Sequence, residues 1–158
     1  MQYTIIAALA KNRVIGNKGK IPWDIPEDRK RFRKLTTPHP IIMGRATYES
    51  LQSMPLKNRQ NIIISGSLRS SSQRLFICRT LESALSLAQR LDDIAFITGG
   101  EQVYRQTIRN PRVTCLELTE IHESYEGDAF FPEFNPGEWS ETSRLQRDFY
   151  DFVTYRRR

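Results

Sequence analysis

Asp28 is the residue of this chain that most invites chemistry. In the run that opens Pro26-Glu27-Asp28 it is followed by Phe32 at i+4 and Leu35 at i+7, which places all three on one stripe of a helix. Arg29, Lys30, Arg31, Arg33 and Lys34 take the other positions and are expected to face water or the rim. A carboxylate on an apolar stripe is costly as an anion, so its pKa is expected to rise unless a cation stabilises it. Beside an aromatic ring, such an acid suits gripping a protonated, amidine-like heterocycle or assisting a protonation. The plainer alternative is that Asp28 only complements the helix N-terminus. Trp23, in the loop just before, either walls a flat heterocycle or anchors the core.

Two further sites have the composition of phosphate seats. Gly44-Arg45-Ala46-Thr47 lies where a strand gives way to a helix, so free backbone N–H groups and a guanidinium meet there. Gly99-Gly100 precedes another helix. Each alone reads equally as a tight turn. Together, at the carboxyl ends of parallel strands, they fit a dinucleotide lying across a sheet edge. Other chemistries are missing: there is no GxGxxG, no GxxxxGK[ST] and no GxSxG. His39 and His122 stand apart from Cys78 and Cys115, so no metal site is expected, and both histidines are expected to be solvent-exposed or capping.

The elements that must carry these residues follow from periodicity. Residues 3–10 are apolar on both faces and read as a central strand of an α/β sheet. Residues 11–25, with Gly16, Gly19 and Pro22, read as a long loop. A helix is expected over 26–35, a short strand over 41–43, and a helix over 47–52. Strands follow at 61–65 and 75–78, separated by a polar, serine-rich turn. A helix at 81–91, a strand at 94–98, a helix at 101–108 and a strand at 113–121 come next, with strands near 139–146 and 149–157 last. This rhythm predicts an α/β three-layer sandwich, a mostly parallel sheet with an antiparallel C-terminal edge and about four flanking helices.

The chain has 158 residues, 39% hydrophobic and 27% charged, which fits a single domain spanning 1–158. The apolar run Ile5 to Ala10 is too short for a bilayer, and no secretory signal is expected. Two cysteines make no disulfide framework, so a reducing cytoplasm is the expected compartment. Residues 1–79 hold 15 Lys/Arg and 4 Asp/Glu, whereas residues 80–158 hold 9 and 14. A positive face of this kind attracts an anion, either nucleic acid or a small phosphorylated or carboxylated molecule.

Taken together, Ile5-Ile6-Ala7-Ala8, Val14-Ile15-Gly16, Ile21-Pro22-Trp23, Pro26-Glu27-Asp28, Ile42-Met43-Gly44-Arg45-Ala46-Thr47, Gly99-Gly100 and Glu126-Gly127-Asp128 resemble the bacterial dihydrofolate reductases in order and spacing, over essentially the whole chain. The resemblance implies an eight-stranded sheet and NADPH-dependent reduction of 7,8-dihydrofolate to tetrahydrofolate, in support of one-carbon metabolism. Hydride would pass to pterin C6 and N5 would be protonated. Asp28 would be the sole ionisable group of the pterin pocket, bonded to the 2-amino group and N3 and supported by Thr119. Phe32 would pack on the pterin and benzoyl rings, with Ile6, Ala8 and the backbone of Thr98 lining the pocket. Arg59 would pair with the substrate's glutamate α-carboxylate.

By the same comparison Ile21 and Trp23 would belong to a loop closing over nicotinamide and pterin, with Ile15 near it and Tyr104 at the junction of the two rings. Arg45, Thr47, Ser65 and Arg79 would hold NADPH, Arg45 on the 2′-phosphate, together with Gly44, Ala46, Gly66, Gly99, Gly100, Gln102 and Val103. The Gly-Gly peptide is usually cis in that family. A monomer that also binds antifolates, and neither nucleic acid nor membrane, is implied. Several residues depart from the pattern. Arg29 and Thr98 stand where apolar residues are usual, and Gly66 and Gln102 replace a serine and a basic residue. Lys57-Asn58-Arg59 replaces Pro-Gly-Arg. Two rivals remain: the related riboflavin-pathway reductase fold, which would not carry Trp23 and Asp28 in this arrangement, and a basic nucleic-acid-binding module using Arg29 to Lys34 and Arg156 to Arg158.

Overall fold

A computed structural model describes residues 1–69 and 74–158. Its main sheet has eight strands in the order β5-β4-β3-β6-β1-β7-β10-β9. These are β1 (Gln2–Leu9), β3 (Ile41–Gly44), β4 (Asn61–Ile64), β5 (Leu75–Cys78), β6 (Ile94–Ile97), β7 (Val113–Ile121), β9 (Trp139–Gln146) and β10 (Tyr150–Arg157). All neighbours from β5 to β7 run parallel, and β10 is antiparallel to both β7 and β9. Four helices flank it among the described residues: α1 (Pro26–Thr36), α2 (Arg45–Ser50), α3 (Leu81–Leu91) and α4 (Glu101–Thr107). The expected architecture stands, with element ends shifted by a residue or two.

Alternation along the strands builds two apolar layers. Ile5, Ile42, Ile62, Ile97, Leu116 and Leu118 face one side with Ala84, Leu85 and Ala88 of α3. Ile6, Ile41, Met43, Ile63 and Phe96 face the other, where Phe32 and Leu35 of α1 pack on them. The central strands are therefore apolar on both faces, as a parallel sheet between helices requires. α1 starts with Pro26 in its first turn, where a missing N–H costs nothing, and Glu27 and Asp28 follow where the dipole favours acids.

The long loop expected over 11–25 contains a strand. β2 (Val14–Gly16) pairs antiparallel with β8 (Ala129–Phe130). Three residues are too few for a periodic signal, and the partner lies more than a hundred residues away. Gly127 makes this contact possible: a Cβ there would lie 2.3 Å from Val14 Cγ1 and 2.6 Å from the Gly16 carbonyl oxygen. The neighbouring Asp128 carboxylate accepts the Lys18 N–H at 3.2 Å. α2 begins at Arg45 rather than Thr47, directly after Gly44. The serine-rich turn runs into residues 70–73, which lie outside the described residues.

Candidate active site

The site residues gather at the carboxyl ends of the parallel strands, where β1 lies between β6 and β7 and the strand order reverses. α1 crosses this edge with Asp28 turned toward β7. Thr119 Oγ1 donates to Asp28 Oδ1 at 2.5 Å, so the carboxylate is fixed from a buried strand position. Burial pushes the Asp28 pKa up; the Thr119 hydrogen bond and the cations Arg31 and Arg29 oppose this without cancelling it. One turn on, Phe32 extends the same helix face, and the Arg59 guanidinium lies 5.9 Å from its ring centroid.

Arg59 is 6% exposed. Its Nη1 donates to Thr36 Oγ1 at 3.0 Å and its Nε to the Lys57 carbonyl at 2.9 Å. No described carboxylate lies within ion-pair distance of it. Burial, and then Arg33, lower its proton affinity, yet a guanidinium stays charged. The loop that carries it is pinned by the buried Asn61, whose amide bonds the Leu56 N–H and the Leu56 and Arg59 carbonyls. Asn58 sits at φ 62°, a left-handed conformation that asparagine tolerates better than most residues. That explains why Asn58 can stand where glycine is usual.

Behind the pocket, Tyr104 donates its hydroxyl to the Ile6 carbonyl at 2.8 Å. Burial and the Asp28 charge push its pKa upward, so it remains a phenol. Ala8 is half-buried further along β1, and Thr98 bonds the Ile42 carbonyl through its N–H at 2.9 Å and its hydroxyl at 3.3 Å. The Gly99-Gly100 peptide is cis. Gly99 sits at φ +115°, where a side chain is strained, with a Cβ there 3.2 Å from the Tyr104 hydroxyl, and its carbonyl accepts the Gly44 N–H at 2.8 Å.

Ile21 is 67% exposed, and Trp23 makes its ring contact with Tyr125, at 5.3 Å between centroids. Ile15 lies half-buried on β2. Arg29 pairs with the exposed Asp24, the residue after Trp23.

A second group of residues lies further along the edge. Gly44, Ala46 and Thr47 lie at the start of α2, whose N-terminal amides have no side-chain cap. A Cβ on Gly44 would touch Val103, and one on Gly100 would lie 3.2 Å from Thr47 Oγ1, so the two glycine junctions face each other at backbone distance. Arg45 pairs with Glu49 and donates to Ser67 Oγ at 2.6 Å. Ser65 Oγ accepts the N–H groups of Ser67 and Leu68, and Arg79 donates to the Gly66 carbonyl. Gln102 is exposed. Two guanidiniums, three hydroxyls and uncapped amides are donors that suit the phosphates of a dinucleotide such as NADPH.

Sequence reasoning missed several partners. Arg31 does not share the solvated face of α1. Its side chain is 20% exposed, pairs with Glu117 at 2.6 Å, and lies 4.6 Å above the Phe152 ring. The histidines have partners as well: His39, half-buried, meets Asp92 at 2.8 Å, and His122, exposed as expected, meets Asp151 at 3.1 Å. Ser67 and Asn61 carried no local signal. Among the described residues no His/Cys/Asp/Glu group could hold a metal, and no helix is long and apolar enough to cross a membrane.

The sequence profile of the family described as Dihydrofolate reductase matches residues 2–157. The dihydrofolate reductase of Neisseria gonorrhoeae is 42% identical over 161 residues, covering 98% of each chain. Dihydrofolate reductase HdrB of Haloferax volcanii is 38% identical, covering all of this chain and 84% of the relative. The solved structure of the Enterococcus faecalis enzyme, complexed with NADP(H) and RAB-propyl, superposes with a TM-score of 0.89 at 31% identity, covering 99% of this chain and 96% of that one.

Proposed function

This chain belongs to the dihydrofolate reductase family, and from that premise we propose how its residues divide the reduction of dihydrofolate by NADPH. NADPH supplies a hydride to pterin C6, and N5 takes a proton. The residues of the chain hold, orient and polarise. Asp28 accepts hydrogen bonds from the pterin 2-amino group and N3, with Thr119 occupying one of its lone pairs and fixing its plane. Because burial raises its proton affinity, the carboxylate is stabilised when a ring that donates N–H groups occupies the pocket and supplies the hydrogen bonds that water no longer gives. Phe32, Ile6 and Ala8 give the flat ring its apolar bed, and the Thr98 backbone borders it.

Arg59 waits for an anion: it is buried, charged and without a carboxylate partner among the described residues, which suits a bidentate hold on the glutamate α-carboxylate. Tyr104 shapes the junction between the two ligands and donates no proton, because its hydroxyl is engaged by Ile6. Arg45, Thr47, Ser65, Ser67 and Arg79 hold the phosphates. The Ile21–Trp23 loop closes over the reacting rings to exclude water. Antifolates with a protonated 2-amino heterocycle use the same Asp28. The protein acts as a monomer in the cytoplasm, without nucleic-acid or membrane partners. Two of the five basic residues of α1 are already paired, Arg29 with Asp24 and Arg31 with Glu117, which weakens a nucleic-acid reading.

The observation that carries this reading is the Asp28–Thr119 pair at 2.5 Å on the helix that also presents Phe32 to Arg59. The test is loss of NADPH absorbance on adding dihydrofolate, beside Asp28→Asn and with NADH as control. Oxidation by the parent alone is expected. Turnover by Asp28→Asn at the parent rate removes Asp28 from this role.

A further inference from the structure

Asp28 and Arg31, three residues apart on α1, are neighbours with β-carbons about 5–6 Å apart. β7 meets them with two residues spaced by two, so both point to the same face. Thr119 donates to Asp28 at 2.5 Å, and Arg31 Nη2 donates to Glu117 Oε2 at 2.6 Å. The register extends this to the next strand, where Phe152 stands opposite Thr119 and Thr154 opposite Glu117. Phe152 lies under the Arg31 guanidinium, and Thr154 Oγ1 donates to Glu117 Oε2 at 2.9 Å. Helix and sheet are thus joined by two adjacent rungs, one holding the acid and the other a cation–carboxylate pair.

The titratable and charged groups facing Asp28 are Arg29 and Arg31 on α1, Tyr104 on α4 and Tyr150 on β10. Tyr104 is engaged with Ile6 and Tyr150 with Glu27. Arg29 stands in solvent with Asp24, where screening is strong. Arg31 is the withdrawn cation, held in place by Glu117 rather than by Asp28 itself.

We propose that Arg31 and Glu117 are a positioning pair for the reaction, which sets the charge state of Asp28 by holding one cation, partly neutralised, at a fixed distance from it. This rests on the reductase reading above and deepens it. The pair works against itself: Arg31 favours the carboxylate and Glu117 tempers Arg31. Removing either member must therefore move Asp28 in opposite directions, whereas a pair that only fastens α1 to β7 would lose stability either way.

The experiment follows the carbon-13 carboxyl resonance of Asp28 against pH in the NADPH complex of the parent, Arg31→Met, Arg31→Lys, Glu117→Gln and the Arg31→Met/Glu117→Gln double variant. Gln keeps a hydrogen-bond acceptor for Arg31, so Glu117→Gln deletes charge with little else. The Asp28 midpoint is expected to rise by about 1 pH unit in Arg31→Met and to fall by roughly 0.5 in Glu117→Gln. Arg31→Lys should stay near the parent, and the double variant should fall between the single ones. The pH profile of kcat/KM for dihydrofolate should shift in the same senses, with the KM for NADPH within about twofold of the parent, because the pair is on the folate side. Shifts of the same sign in both single variants, or an unmoved midpoint with a lowered melting temperature, would overturn the proposal. Absent turnover in the parent would instead count against the reductase reading, since the carboxyl titration needs no reaction.

Discussion

At the folate end of the cleft the charged groups are withdrawn from water and already fixed. Asp28 is bonded by Thr119, and Arg59, only 6% exposed, is bonded by Thr36 and the Lys57 carbonyl. At the phosphate end Arg45 and Arg79 stand in solvent and are engaged with their own surroundings, Arg45 with Glu49 and Ser67, Arg79 with the Gly66 carbonyl. The first end is prepared for its ligand, because a desolvated guanidinium without a carboxylate gains its full partner only when an anion arrives. The second must exchange partners: each contact to a phosphate replaces one already made, in a medium that screens charge. Selectivity should therefore reside at the buried end, and affinity at the exposed end should be shallow and sensitive to salt.

Substitutions at the two ends should separate in size. Asp28→Asn removes the anion while keeping the shape, and turnover with dihydrofolate at neutral pH should fall roughly 100-fold or more. The same variant carries a signature in stability. Since burial raises the Asp28 pKa, the folded chain holds this proton more tightly than the unfolded one. That contribution is complete below about pH 4, where the unfolded aspartate is also protonated, and is lost as pH rises through the folded value. Asp28→Asn, which cannot ionise, should gain in melting temperature relative to the parent between pH 4 and pH 8. A difference that is flat with pH would place Asp28 in a solvated setting.

Next in size, Arg59→Lys replaces a planar fork by a point charge. The KM for dihydrofolate should rise about 10- to 100-fold, with much less change in kcat at saturation. An unchanged KM would move the carboxylate seat away from Arg59. At the other end Arg45→Ala should raise the KM for NADPH only about fivefold, and less at high salt. The smallest effect is the sharpest test of partner exchange. Glu49→Gln frees Arg45 from its competitor and should lower the KM for NADPH by up to about twofold. A weaker hold on NADPH in that variant would show that Glu49 orients Arg45 rather than competing for it.

Much of the fold was legible locally. The runs at 3–10, 61–65 and 94–98 read as strands, the first apolar on both faces, and the helix stripe Asp28–Phe32–Leu35 already turned an acid inward. The small β2–β8 pair was not legible, since three residues carry no period and the contact depends on Gly127 meeting Val14. Periodicity assigns Arg31 to the face turned to water or the rim, because it fixes a position, not a partner. The inward turn of Arg31 needed Glu117 from a strand 86 residues away.

Sequence by itself determined which elements form and which residue types reach the cleft, because propensity, spacing and the glycine junctions act over a few residues. Only the tertiary structure decided several polar partners: Glu117 for Arg31, Ser67 for Arg45, Asp92 and Asp151 for the histidines, and no carboxylate among the described residues for Arg59. The physical reason is range. A hydrogen bond or ion pair is made or lost within an ångström, and only the packing of helices and loops on the registered sheet brings residues distant in the chain to that distance.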